Sequence, residues 1–200
     1  MTQSRLVLAS SSSTRLSVLR QAGLDVTPAS PRVDEDAVRA ALEADGVSPR
    51  NIADVLAEAK AMKVAARHPA SLVLGCDQTL DLGGICLAKP ADRDAARARL
   101  QQLRGQPHKL HAAAVIAEGD RPVWRHTETV NLSVRPFSDA WLDAYLDRNW
   151  PAVAGSVGGY HVEGEGVQLF DRIDGDWFAI LGLPLVQIVT YLMDRGELAK

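Results

Sequence analysis

The chain has 200 residues, which is enough for one domain or for two small lobes folded around one sheet. Hydrophobic residues make up 46% of it and charged residues 24%, the ordinary composition of a globular protein. The net charge of −3 provides no basic surface for nucleic acid, so we expect no nucleic-acid partner. A single basic pocket would still be compatible with this charge.

Membrane insertion and secretion are not expected either. No apolar run approaches the roughly 20 residues that a membrane-spanning helix needs, and the run near residue 6 is too short for a secretory signal. Cys76 and Cys86 are too few for a disulfide-stapled domain, so we expect reduced thiols and a cytoplasmic protein. A zinc site made from them and a histidine fits no known ligand spacing.

The first half of the chain alternates short strands and helices. The pattern predicts a strand over residues 6–9, a helix from Thr14, a strand over 26–30 and a helix from about Glu35. Asn51 is expected to cap the next helix. The predicted apolar stripe of that helix comprises Ile52, Val55, Leu56, Ala59 and Met62. SLVLGCD indicates a central strand that ends at Asp77, and LDLGGICLAKP a hairpin.

The second half predicts a helix over residues 92–103 and then two strands, within KLHAAAVIA and RHTETVNLSVRPF. Ser138 is expected to cap a helix that ends near Asn149. The stretch GVQLFDRIDGDWFAILG indicates a hairpin that turns at Asp174 and Gly175, and the last helix should follow Pro184. We therefore expect an α/β fold with a mixed sheet and helices packed on it.

The serines that follow the first strand lie at a strand-to-helix turn, where backbone amides are unpaired. Together with the hydroxyls of Ser10 and Ser12, the helix dipole and Arg15, these amides would form an anion site. A serine-rich helix cap beside a solvated arginine is the plainer alternative.

Asp77 and Lys89 are both expected on rigid strands, where the acid would act as a base or metal ligand and the lysine as a phosphate clamp. A surface Asp–Lys pair of little energetic value is the alternative. Lys60 lies at the margin of an apolar stripe, from which it either extends to water or reaches a cleft. Glu163 lies in a glycine-rich stretch that suits close approach to a ligand.

Eight short motifs in this order resemble the Maf family, whose members are also called septum-formation inhibitor proteins. The motifs are ASSSSTR (9–15), VDE (33–35), AEAKA (57–61), GCDQ (75–78), LAKP (87–90), LRGQPH (103–108), AGSVGGYHVEGEG (154–166) and LGLPL (181–185). The resemblance covers nearly the whole chain, so we expect a single Maf-like domain over residues 1–200.

The resemblance implies a nucleoside triphosphate pyrophosphatase that hydrolyses the α–β anhydride to a monophosphate and pyrophosphate. It implies an inosine-triphosphatase-like α/β fold, with an elongated twisted mixed sheet flanked by helices and two lobes around a central cleft. It also implies a divalent metal cofactor, Mg²⁺ or Mn²⁺, and a homodimer.

By the same resemblance, Asp77 is the catalytic base and holds the metal together with Glu35. Lys60 and Lys89 would contact phosphates as further catalytic groups. The expected substrate-binding residues are Ser10, Ser12, Thr14, Arg15, Gln78 and Glu163.

Gln78 and Glu163 are more similar to the branch of the family that acts on 7-methyl-GTP than to the branch that acts on dTTP and UTP. A carboxylate such as Glu163 would accept hydrogen bonds from a positively charged 7-methylguanine, whereas a pyrimidine would favour an amide. Thr14 replaces an aromatic residue found in some members and cannot stack on a base. A dTTP/UTP pyrophosphatase and a non-catalytic regulator of cell division remain as alternatives.

Overall fold

The computed structural model describes residues 6–199 as a mixed sheet with helices on it. The strands are β1 (Leu6–Ala9), β2 (Val26–Pro28), β3 (Leu72–Leu82), β4 (Ile85–Leu87), β5 (Pro107–Glu118), β6 (Arg121–Val134) and β7 (Phe170–Asp174). The helices are α1 (Ser13–Gln21), α2 (Glu35–Ala44), α3 (Pro49–Ala65), α4 (Arg93–Leu103), α5 (Asp139–Asn149), α6 (Trp177–Ile180) and α7 (Leu185–Asp194). Short 3₁₀ turns cover Ala152–Gly155 and Glu165–Leu169.

The strand order is β2-β1-β3-β5-β6-β7, and β4 pairs with β3 beside this path. β1 is parallel to both β2 and β3, whereas β3, β5, β6 and β7 form an antiparallel series. On one edge of β3, β1 pairs with residues 72–75 and β4 with residues 80–82. Residues 76–79 therefore have no strand partner on that edge in the described sheet, and this opening positions the site.

Three apolar clusters hold the sheet and helices together. One packs β1, β3, α1 and α7, a second packs α3 on the opposite face of the same strands, and the third joins β5 and β6 to α4, α5 and residues 157–162. Burial of such side chains contributes roughly 25 cal/mol per Å² of apolar surface. The opening in β3 lies where these clusters meet.

The predicted α/β class with a mixed sheet is confirmed, as are the hairpin at Gly83 and Gly84 and the helix that Ser138 caps. The helix after the serines begins at Ser13, one residue before the predicted start, and the last helix runs from Leu185 to Asp194 as expected. Within residues 6–199, no helix is both long and apolar enough to cross a membrane.

Asp77 does not end its strand, because β3 continues to Leu82 and forms the hairpin with β4. The sequence pattern placed the strand end at the first acid after the apolar run. In the structure Asp77 is buried and bonded to Lys60 of α3, so the strand can continue past this acid.

Asn51 does not cap α3. Ser48 is the N-cap and its Oγ accepts a hydrogen bond from the Asn51 amide at 3.4 Å, with Pro49 in the first turn. The predicted stripe is also rotated, because Val55 is 38% exposed while Lys60 lies on the buried face at 4%. The small side chains Ala53, Ala57 and Ala61, which carry little periodic signal, form that face.

The predicted hairpin at Asp174 and Gly175 is wrong in its second arm. β7 is its first arm, but the chain then enters helix α6, whose N-cap Asp176 accepts a hydrogen bond from the Ala179 amide at 2.8 Å. Gly175 has a φ of +143° and packs closely against Val130 of β6, and the chain continues from it into α6 without forming a second strand. The aromatic residues after Asp176 favour a strand by propensity, and the cap overrides them.

Candidate active site

A cavity of about 460 Å³ opens beside the unpaired edge of β3. Its walls come from the β1–α1 turn, the start of α2, the middle of β3, the segment after β4 and residues 152–163. It brings together all ten residues that the sequence analysis selected: Ser10, Ser12, Thr14, Arg15, Glu35, Lys60, Asp77, Gln78, Lys89 and Glu163.

Lys60 joins the two acids of this cavity. Its Nζ donates to Asp77 Oδ1 at 2.6 Å and forms an ion pair with Glu35 Oε2 at 2.8 Å. Lys60 and Asp77 are each 4% exposed, whereas the Glu35 side chain is about one third exposed. A buried ammonium between two carboxylates balances much of their charge, so neither acid is left as an isolated buried anion.

Gly75 explains how Lys60 reaches this position. A Cβ added at Gly75 would lie 2.2 Å from the Ala57 carbonyl oxygen and 2.6 Å from the Ala61 amide nitrogen. Only a glycine at this point lets α3 lie directly on β3. Since Lys60 precedes Ala61 on the same helix, this close approach brings its ammonium to Asp77, two residues along β3.

The carboxylate of Asp77 is only half satisfied. Oδ1 accepts from Lys60, whereas the buried Oδ2 has no hydrogen-bond partner in the described part of the protein. Burial raises the pKa of Asp77 despite the opposing effects of Lys60 and Arg15. A raised pKa and an unpartnered oxygen, on a residue that lines the cavity, suit Asp77 to accept a proton or bind a cation.

Glu35 responds in the opposite direction. Partial burial acts to raise its pKa, but the attraction of Lys60, the hydrogen bond to it and the more distant Lys89 and Arg15 together lower the pKa below the usual value. The two acids of the cavity therefore differ, because the pKa is raised on Asp77 and lowered on Glu35. Such a separation is characteristic of acid–base sites.

Arg15 crosses the cavity wall and fixes three chain segments. Its Nε donates to the Gly182 carbonyl at 3.0 Å, and its Nη1 donates to the Cys76 carbonyl at 3.0 Å and to Ser10 Oγ at 3.4 Å. The Cys76 carbonyl belongs to the stretch of β3 that lacks a strand partner on this edge. Arg15 thus has a structural role that the sequence analysis did not anticipate, besides placing positive charge in the cavity wall.

The serine turn caps α1 and also lines the cavity. Ser12 Oγ accepts from the Arg15 amide at 3.3 Å, and the Ser12 amide donates to Ser10 Oγ at 3.2 Å. The helix cap is therefore confirmed at Ser12, but Arg15 is not the solvated side chain of that alternative, and the anion site stays a prediction. The amides of Ser13 and Thr14 lie in the first turn, where the helix itself supplies no acceptor.

Gln78 faces the side of β3 opposite to Asp77, as successive strand residues do. Its Nε2 donates to the carbonyls of Ala179 and Ile180 at 2.9 and 3.0 Å, which ties α6 to the sheet. Both side chains still line the same cavity, because the cavity extends around the open edge of β3. The amide donors of Gln78 are thus in use, and its carbonyl oxygen is the group left for a ligand.

Two more cations complete the wall. Lys89 is exposed, and desolvation by the cavity wall together with Arg15 lowers its pKa. Arg39, which the sequence analysis missed, lies on α2 and forms an ion pair with Asp36 at 3.1 Å. Its position four residues after Glu35, on the same face of a predicted helix, was the available signal.

Glu163 is exposed and lines the cavity from the glycine-rich segment. Its neighbour Glu165 is instead occupied by Arg148 and by Asn149, which donates to it at 2.8 Å. Tyr160 anchors the segment from below through a 2.7 Å hydrogen bond between its hydroxyl and His108 Nε2. Of the two glutamates in this motif, Glu163 is thus the one available to a ligand.

Glu35 and Asp77 are the carboxylates that could hold a divalent metal. In residues 6–199, no three His, Cys, Asp or Glu side chains form a metal-binding group, so a cation would take its other ligands from water or substrate. Mg²⁺ is commonly held in this way, by one or two carboxylates and phosphate oxygens. The unpartnered Asp77 Oδ2 fits such an ion. Cys76 and Cys86 remain free thiols.

Comparison with known proteins identifies relatives along nearly the whole chain. A nucleoside triphosphate pyrophosphatase from Caulobacter vibrioides is 55% identical over 193 residues, which cover 96% of each protein. A 7-methyl-GTP pyrophosphatase from Brucella abortus biovar 1 is 43% identical over 188 residues, or 94% of each. The solved HAM1 protein of Coxiella burnetii, at 15% identity and a TM-score of 0.43, covers 65% of this chain and 72% of that one. The family model described as Maf-like protein matches residues 5–195, and the chain therefore belongs to the Maf-like protein family.

Proposed function

We propose that the protein is a nucleoside triphosphate pyrophosphatase that hydrolyses the α–β anhydride. The observation that carries this proposal is the convergence of cations and carboxylates on one cavity, with the half-satisfied Asp77 between Lys60 and the open space. The names of relatives at 43–55% identity support the same reaction class.

The charges that line the cavity suggest why a dication would be needed. Four cationic side chains (Arg15, Arg39, Lys60, Lys89) face three carboxylates (Glu35, Asp77, Glu163). This near balance leaves too little positive charge to neutralise a triphosphate, which carries about four negative charges. Glu35 and Asp77 would hold Mg²⁺ or Mn²⁺, and the ion would neutralise phosphate oxygens and polarise the reacting phosphorus.

The residues of the chain would carry out the proton transfer and the positioning. Asp77 accepts a proton from a water molecule whose oxygen attacks the α-phosphorus, and the bond between that phosphorus and the bridging oxygen breaks to release pyrophosphate. Lys60 fixes the orientation of the Asp77 carboxylate through Oδ1, which leaves both lone pairs of Oδ2 unused. One of them would meet the metal ion and the other would accept the proton of the attacking water. Lys89, Arg39 and the first amides of α1 would hold the phosphates.

The finer part of the proposal is a preference for 7-methyl-GTP. Glu163 supplies an exposed carboxylate that would accept hydrogen bonds from guanine N1–H and the exocyclic amine, and it would favour the positive charge of the methylated ring. Because Gln78 has committed its amide donors to α6, it would offer a pyrimidine only an acceptor. A relative named 7-methyl-GTP pyrophosphatase supports this choice over dTTP or UTP.

The test is a panel of triphosphates, which includes 7-methyl-GTP, GTP, dTTP and UTP, assayed for pyrophosphate release with Mg²⁺ and with Mn²⁺. We expect the fastest pyrophosphate release with 7-methyl-GTP. A Glu163→Gln variant should shift the order of substrates towards dTTP and UTP. Binding without release from any triphosphate would support the non-catalytic regulator instead. An unchanged ranking in Glu163→Gln would mean that the base is recognised elsewhere.

We also propose that the chain is one Maf-like domain that works as a homodimer with neither a nucleic-acid nor a membrane partner, in the cytoplasm. This part rests on the family resemblance, the net charge of −3 and the ordinary globular composition. Light scattering on a size-exclusion column tests it, with twice the 21.6 kDa chain mass expected for the dimer. A monomer at micromolar concentration would contradict it.

A further inference from the structure

Arg99, on α4, bridges two segments that line the cavity without lining it itself. Its Nη1 donates to the carbonyl of Ala88 at 2.9 Å and to that of Val157 at 2.8 Å. Ala88 directly precedes Lys89, and Val157 lies in the glycine-rich segment of the opposite wall. One guanidinium nitrogen therefore connects the backbone just before Lys89 with the glycine-rich segment on the opposite wall of the cavity.

The other arginines of α4 contact helix α5 instead, mainly through ion pairs. Arg97 Nε donates to Asp143 of α5 at 2.6 Å, and Arg93 pairs with Asp147 of the same helix. Such surface ion pairs contribute little to stability. Arg99 is half-buried on another side of α4, and its buried Nε has no hydrogen-bond partner in residues 6–199. Placing this half-buried guanidinium against neutral carbonyls has a desolvation cost that a surface ion pair largely avoids.

The segment that Arg99 holds on one side is well anchored by itself. Gly159, with a φ of +72°, packs against α4: a Cβ added at Gly159 would be 3.8 Å from the Cβ of Ala96. The next residue, Tyr160, is buried and hydrogen-bonded to His108. The segment is therefore a fixed support. Lys89, in contrast, is exposed and follows the end of the short strand β4, and its side chain makes no hydrogen bond within residues 6–199.

We propose that Arg99 is a positioning residue that holds Lys89 against the glycine-rich wall so that its ammonium meets the phosphates of the substrate. The inference rests on the proposed function, because it assigns a task to the phosphate-binding role of Lys89. Charge-assisted hydrogen bonds to two carbonyls are directional enough to fix a backbone, and a site residue needs such support to keep its geometry.

The test compares Arg99→Met with Arg97→Met, a matched change on the same helix that removes only surface ion pairs, to Asp143 and Asp139. Since Lys89 would contact phosphates in both the ground state and the transition state, Arg99→Met should raise KM for the preferred triphosphate about tenfold and change kcat by less than about threefold. Arg97→Met should keep the KM of the unmodified protein. Arg99→Lys, which retains donors, should recover part of the loss and serves if Arg99→Met does not fold.

A double-mutant cycle separates positioning from a general loss of stability. In a Lys89→Ala background, Arg99→Met (or Arg99→Lys) should change KM by less than about twofold, because the residue through which it acts is already absent. The same rise in both backgrounds, or an equal effect of Arg97→Met, would overturn the proposal.

Binding of inorganic tripolyphosphate with Mg²⁺, measured by calorimetry, makes the outcome independent of turnover. We expect about tenfold weaker binding in Arg99→Met than in Arg97→Met, and no difference between them when Lys89 is alanine. If no triphosphate is hydrolysed, the proposed function fails while this comparison still tests Arg99. Equal affinities of the two single variants would refute the role of Arg99 alone.

Discussion

At the scale of single residues, the bond between Lys60 and Asp77 sets the chemistry of the cavity. Asp77→Asn keeps an oxygen that can accept from Lys60, and Glu35 still balances the ammonium, so the fold should persist. The loss of the proposed base should lower kcat by about a thousandfold. Steady-state kinetics and thermal unfolding check both expectations, with the exposed Asp120→Asn as a control for the charge change. Near-normal turnover in Asp77→Asn would remove it as the base.

His108 provides a second residue-scale prediction, because its burial lowers its pKa from 6.5 to about 4. The unfolded chain would bind a proton at pH values where the folded chain does not. Stability should therefore be complete above about pH 6.5 and fall as the pH drops towards 4, by about 3 kcal/mol from this residue.

Urea unfolding at pH 7 and pH 4.5 measures this loss. His108→Gln keeps a group that can bond to the Tyr160 hydroxyl but cannot be protonated, so its stability should depend less on pH. Some dependence will persist, since burial also lowers the pKa of His111. Equal pH dependence in the variant and the unmodified protein would contradict the assignment to His108.

At the scale of secondary-structure elements, the contact between α3 and β3 places the ammonium of Lys60. Gly75→Ala should push α3 off the strand, because the new methyl would overlap the backbone of Ala57 and Ala61. We expect a loss of about 1–3 kcal/mol in unfolding free energy, together with lower kcat as Lys60 moves from Asp77. Gly155→Ala, whose methyl would meet nothing within 4 Å, is the matched control for stability. Equal stability of both variants would show that α3 and β3 can accommodate the added methyl, and it would contradict the prediction.

The elements also show which parts of the fold the sequence could predict. Local signals were sufficient for α5, which Ser138 caps as expected, and for α2, which begins at Glu35 as expected. They failed where tertiary contact decides the outcome. α6 forms because Asp176 caps it and Gln78 binds its carbonyls, and the second of these contacts spans about a hundred positions of the chain.

The candidate site followed the same division. Its charged residues were predicted from motifs, and they line one cavity. The bonds among them were not predictable, because the burial of Lys60 depends on alanines that leave no clear stripe and on the glycine beneath them. Arg15 was expected either as part of an anion site or as a solvated side chain, yet it holds the Cys76 carbonyl on the open edge of β3.

At the scale of the whole molecule, the net charge of −3 and the cations of the cavity have opposite effects on an anionic ligand. At about 0.1 M salt, charges farther than about 10 Å are largely screened, so the local groups decide binding. Within the cavity the cations exceed the carboxylates by little. The affinity for a triphosphate should therefore depend on a dication that binds with it.

This dependence gives the final prediction. A triphosphate analogue with a non-hydrolysable α–β bridge should bind at least about tenfold more weakly in EDTA than with Mg²⁺, because a small excess of cations faces about four negative charges. Glu35→Gln should reduce the benefit of Mg²⁺, since it removes a carboxylate that would hold the ion, whereas Lys89→Ala should weaken binding under both conditions. Calorimetric titration of the analogue measures all three. Equal affinity in EDTA and in Mg²⁺ would mean that the cavity neutralises the phosphates without a metal.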